Sequence, residues 1–144
     1  MVSIDLGLDF KKAEEEATIK PVPAKDYDFQ IKKVEVGVSG PNSDTPGRPK
    51  LNWHLALINN DDPTLNGRVI FYNTSLPWTD PSGEFVSSGL SFLTNIFLAV
   101  GEKWSGTSFD PDTLLGMVGK MSVGIKEYKG AQQNEVKKLY KKKV

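Results

Sequence analysis

Apolar side chains fall on every second position from Tyr27 through Phe29 to Ile31, and after Lys32 and Lys33 the alternation resumes out of phase at Val34, Val36 and Val38. A period of two marks a strand with one buried face, and a change of phase within it requires a bulge or a break. One long bent first strand is expected. "SGPNSDTPGRPK" follows with three prolines, two glycines and no large apolar residue, the composition of an exposed loop. "LNWHLALI" then alternates strictly, which predicts a second strand with Leu51, Trp53, Leu55 and Leu57 toward the core and Asn52, His54 and Ala56 opposite. "NNDDPTLNG" is a turn-rich link and "RVIFYN" a third strand, in which Val69 and Phe71 inward would put Arg68, Ile70 and Tyr72 outward.

"TSLPWTDPSGEFVSS" reads as another loop, with Pro77 and Pro81 against regular structure. Phe92, Leu93, Ile96, Phe97 and Val100 then recur at helical spacing, with Ser88 as cap and Gly101 as stop, so one helix of about three turns is predicted. "FDPDTLLG" is a helical turn opened by Asp110, with Pro111 in the first turn, where proline is tolerated. "GKMSVGIKEY" is a fourth strand with Met121, Val123 and Ile125 inward, "KGAQQN" turns the chain, and "EVKKLY" is a short fifth strand with Tyr140 on the face of Val136. Five strands with a helix between the third and fourth is the element order of a five-stranded OB-fold barrel, a mainly β fold. An unrelated antiparallel sheet with one helix is the other arrangement these elements allow. The organisation expected is an extended N-terminal arm over 1–24, where Pro21 and Pro23 oppose a helix, the folded domain over 25–140, and a basic tail over 141–144.

The chain has no net charge, yet its charge is unevenly spread. Residues 1–30 and residues 31–119 each sum to −3, whereas the last 25 residues carry eight lysines against two acids, or +6. Such asymmetry can steer a polyanion to one side, and it can equally be a solubilising tail. There is no cysteine, which removes disulfides and thiolate chemistry and suits a reducing compartment. The first residues lack the pattern of a signal peptide and no segment approaches the ~20 apolar residues of a membrane span, so a soluble chain without membrane contact is expected.

The stretches "PVPAKDYDFQIKKVEV", "LNWHLALI", "NGRVIFYN", "GLSFLTNIFLAVG" and "LLGMVGKMSVGIKEYKGAQQNEVKKLY", together most of residues 20–140, resemble phage-encoded single-stranded-DNA-binding proteins of OB-fold type. That resemblance implies coating of single strands in phage replication or recombination, in the cytoplasm of an infected cell, with phage replication or recombination proteins as further partners. Two departures stand out. The chain ends "YKKKV" where the commonest single-strand binders end in an acidic tail, and Lys25 stands where such domains often have glycine.

Single-strand binding needs cations along the backbone and aromatic faces for the bases. The outward positions Arg68, Tyr72, Lys120, Lys126 and Tyr128, beside Asn52 and His54, supply both, and Arg48, Lys50, Lys129 and Lys137 extend the basic set. If Lys126, Tyr128, Arg68 and Tyr72 share one concave face the reading is favoured; dispersal around the barrel would sink it. For each lysine taken singly, a solvated face is the plainer account. Trp78, between two prolines, is a base-stacking candidate or a plug of the core, while Trp53 belongs to the core register and Trp104 anchors a loop. His54 is the only histidine, so a zinc site of nitrogen and sulfur ligands cannot be assembled. No nucleophile elbow or phosphate loop is present either, and neither cofactor, metal nor catalysis is expected. A protein-interaction module is the competing function, and open strand edges leave room for a homodimer.

Overall fold

The computed structural model describes Ser3, Asp5, Gly7, residues 20–128 and residues 130–141, the side chain of Tyr128 excepted. The charged stretch around "FKKAEEEA", the end of the tail at 142–144 and Lys129 lie outside the described residues. The strands are β1 (Lys25–Val38), β2 (Pro49–Ile58), β3 (Val69–Ser75), β4 (Trp78–Thr79), β5 (Phe85–Val86), β6 (Val118–Tyr128) and β7 (Ala131–Tyr140), with one α-helix, α1 (Leu90–Ala99), between β5 and β6. Five of them form an antiparallel sheet in the order β3-β2-β1-β6-β7, and β4 and β5 make a separate hairpin.

The change of phase in β1 is a bulge. Pairing with β2 slips between Ile31 and Lys33, so Lys32 has no partner and the face on which Tyr27, Phe29 and Ile31 are buried continues as Val34 and Val36. The first half of β1 is flanked by β2 and β6, whereas Lys33–Val38 pairs with β2 alone among the described residues. The β2 register is as expected, with Leu51, Trp53, Leu55 and Leu57 buried. Trp53 is fully enclosed and its indole N–H donates to Thr74 Oγ1 at 2.9 Å. α1 covers one face of the sheet with Leu93, Ile96 and Phe97, and Trp104 and Phe109 each meet the Phe97 ring edge-on at 5.0 Å.

Four local expectations are corrected. β3 is in the opposite phase: Ile70 and Thr74 are buried and Tyr72 is half-buried, while Val69 and Phe71 face outward. "KGAQQN" is not a broad turn, because Tyr128 pairs directly with Ala131 and β7 begins there, Gly130 taking the left-handed conformation (φ 79°) that a two-residue connection requires. A second bulge, between Ser122 and Val123 in the β6–β7 ladder, leaves Lys137 unpaired and turns Tyr140 to the face opposite Val136. Ser88 does not cap α1 either, since its oxygens are taken by Arg48 and Gly89 occupies the cap position.

The sheet is not closed into a barrel. β3 and β7 are its two edges; their Cα atoms come within 8 Å of one another, yet no ladder joins them. Nor does α1 lie between the third and fourth strands, because the β4–β5 hairpin precedes it. The OB-fold expectation is thereby overturned, and with it the resemblance to phage single-strand binders and the phage setting drawn from it. The physical reason lies in the gap. Val22 is fully buried there, its N–H donating to Asn134 Oδ1 at 2.8 Å and its carbonyl accepting from Asn134 Nδ2 at 3.0 Å, and Arg68 donates to the Lys20 carbonyl. A strap of chain lies across the seam and is held from both sides by side chains, Asn134 of β7 and Arg68 beside β3, where a closed barrel would place one edge strand directly against the other.

Candidate nucleic-acid interface

Arg68 stands just before β3, Lys126 on β6 and Lys20 at the start of the strap, and these three cations line one open groove of about 540 Å³ between β3 and β7. Gln132, Gln133 and Asn134 of β7 form the opposite wall, and Phe71 stands on the β3 side. None of the described side chains lining it is acidic. Phe71 is 56% exposed, an unusual position for a phenylalanine within a sheet. Its ring is held by His54, its cross-strand partner, in an edge-on contact at 4.8 Å with the planes at 85°.

From Phe71 the outer face of the sheet continues in cross-strand rows. Lys33, His54 and Phe71 form one row, Glu35, Asn52 and Asn73 the next, and Gly37, Lys50 and Ser75 the third. The Lys33 ammonium, hydrogen-bonded to Glu35 at 2.9 Å, holds that carboxyl below the usual carboxylate range. His54 Nε2 lies 3.3 Å from the same carboxylate without hydrogen-bond alignment, and the Asn52 side-chain oxygen is likewise enclosed without a partner. The Lys50 stem lies over Gly37, 4.0 Å from where a Cβ would stand.

Of the ten residues singled out from the sequence, the eight whose side chains are described are scattered over the molecule. Arg68 and Lys126 meet in the groove. Tyr72, reversed by the phase of β3, lines a separate cleft of about 200 Å³ with Phe92 and Lys137. Its hydroxyl donates to the Phe92 carbonyl at 3.2 Å, and burial pushes the phenol up to about 12. Lys50 and Lys120 lie on different halves of the outer face, Lys120 between Asp28 of β1 and Tyr140 of β7. Arg48 is buried, with its guanidinium donating to the carbonyls of Leu76 and Ser88 and to Ser88 Oγ. Trp78 is half-buried in β4 against Gly47, its indole N–H enclosed without a partner. Lys129 and the Tyr128 side chain lie outside the described residues. Of the four residues whose gathering would favour strand binding, two therefore gather and Tyr72 does not.

No protein-family model matches the chain, and the search of curated proteins found no match. Phe71, Lys20 and Asn134 are the groove residues that sequence reasoning missed. In "RVIFYN" four apolar residues stand in succession, so no alternation chooses which of Phe71 and Tyr72 faces out. Lys20 was hidden in a segment read as an arm, and Asn134 in a segment read as a turn. Among the described residues no group of three histidine, cysteine, aspartate or glutamate side chains could hold a metal ion, and no helix is long and apolar enough to cross a membrane.

Proposed function

We propose that this protein is a binding module for single-stranded DNA with little sequence preference. The observation that carries the reading is the groove between β3 and β7, with Lys20, Arg68 and Lys126 in its walls and the exposed ring of Phe71 on its β3 side. Cations spaced along a groove engage successive phosphates whatever the bases, and an exposed ring offers a face on which any unpaired base stacks. A duplex keeps its bases stacked on each other and leaves such a ring without a partner. Arginine suits the central position, because it presents five donors and keeps others for a phosphate while one holds the Lys20 carbonyl.

The test is fluorescence anisotropy of labelled oligo-dT over a salt series, with duplex DNA and oligo-rU as competitors. With three cations engaged, log K should fall against log salt with a slope of about −2, at about −0.7 per phosphate for single strands. Phe71→Ala should cost about 1 to 3 kcal/mol, the worth of one base–aromatic stack. Equal competition by duplex, or no binding at low salt, would remove the reading; equal competition by oligo-rU would widen it to RNA.

One observation favours a protein-interaction module instead. The projecting half of β1, Lys33–Val38, has an open edge among the described residues, with Val36 76% and Val38 63% exposed, and an open strand edge bearing apolar side chains is a template for another chain.

A further inference from the structure

Asn134 stands opposite Ile125 in the β6–β7 ladder, and its carboxamide is fully used. The side-chain oxygen accepts from Val22 N–H at 2.8 Å, while the amide nitrogen donates to the Val22 carbonyl at 3.0 Å and to the Gly124 carbonyl at 3.3 Å. The two bonds to Val22 are the pair that a residue of an adjacent antiparallel strand makes with its partner. One side chain thus does for the strap what a ladder would otherwise do. The contact spans 112 residues in sequence and is partly buried, so it is shielded from competing water. Farther along the strap, Tyr27 donates to the Pro23 carbonyl at 2.6 Å, and on the other side Arg68 takes the Lys20 carbonyl. Lys20 follows from this. Two residues before the clamped Val22, it has little freedom to leave the groove wall, since a residue of chain spans at most ~3.6 Å.

We propose that Asn134 is a positioning residue for polyanion binding: by clamping Val22 it fixes Lys20 in the groove beside Arg68 and Lys126, and so sets the spacing of the three cations without itself meeting the ligand. This rests on the nucleic-acid reading above. Its chemistry also explains why an asparagine stands there. A strap held on both its N–H and its carbonyl requires a side chain that accepts and donates at once, which an asparagine carboxamide does and an aspartate or leucine of similar size does not.

The experiment is a double-mutant cycle on full-length protein, with oligo-dT as ligand and anisotropy as readout. Lys20→Ala should weaken binding and make the salt slope shallower by about 0.7, the loss of one phosphate contact to a single strand. Asn134→Ala should lower affinity by a similar factor with a similar change in slope, and the double variant should be no worse than either single one. As a control, Lys126→Ala combined with Asn134→Ala should multiply the two losses. A purely structural role for Asn134 would lower the melting temperature without coupling to Lys20, and additive losses in the first pair would overturn the proposal. So would an unchanged salt slope in Lys20→Ala, an exposed-site variant whose outcome stands even if Asn134→Ala does not fold. Wild-type protein that binds no oligo-dT at low salt would overturn the functional reading and this proposal together, whereas wild-type binding with Lys20→Ala unchanged would overturn this proposal alone.

Discussion

Arg48 lies in a segment rich in proline and glycine, where a guanidinium would ordinarily be solvated and available to a phosphate. It is instead buried, at 4% exposure, and joins the end of the β1–β2 loop to Leu76 and Ser88. Truncating it removes the donor from two part-buried hydrogen bonds to carbonyls and empties a buried position, and a fully buried group left without a partner costs about 1 to 3 kcal/mol. Arg48→Ala should therefore lower the urea midpoint clearly while leaving the salt slope of oligo-dT binding unchanged; a shallower slope would return Arg48 to the phosphate contacts. The contrast with Arg68 is instructive. Both are arginines beside β-strands with glycine before them, and residue type and neighbours do not distinguish them. What differs is what the rest of the chain brings alongside: loop carbonyls for one, an open seam for the other. Trp53 was legible because it sits in an unbroken alternation, whereas Trp78 and Phe71 sit where no alternation exists to read.

Among the elements, the phase of β2 was readable and that of β3 was not. In β2 a polar residue follows each of its first two buried ones, so only one face can be apolar. In β3 both faces carry large apolar residues, and the choice falls to Thr74, whose hydroxyl is needed by the Trp53 indole, and to Ile70, which meets Leu55. β6 shows a related dependence at Gly119. A Cβ there would stand 2.8 Å from the Ala99 carbonyl oxygen at the end of α1 and 2.8 Å from the Phe29 ring. Neither neighbour is the free end of a flexible chain. Gly119→Ala should accordingly destabilise the fold by about 1 to 3 kcal/mol, the usual range for overpacking, seen as a lower urea midpoint at constant m. An unchanged midpoint would mean that α1 can lift from the sheet. The glycine itself gave no such signal in sequence, because it opens what reads as an ordinary strand.

For the molecule as a whole, the open question of the sheet is what becomes of its edges. β3 and β7 are held off each other by the strap, which leaves a groove, while the projecting half of β1 remains uncovered among the described residues. If that edge receives a second copy, sedimentation should show a concentration-dependent dimer, and Val36→Lys should return it to monomer with a melting temperature little changed, since exposed substitutions usually stay within about 0.5 kcal/mol. A wild-type monomer at all concentrations would dismiss self-pairing at this edge. Most of the strand positions, the helix, the β1 bulge and the central core were legible in the chain, because each depends on periodicity and on local stiffness from glycine and proline. The phase of β3, the unclosed seam, the burial of Arg48 and the docking of Lys20–Val22 were not. They depend on which polar groups meet across 21 to 112 residues of sequence, and no local pattern carries that information: it arises only when the folded chain brings side chains such as Asn134 and Arg68 against the backbone of the strap.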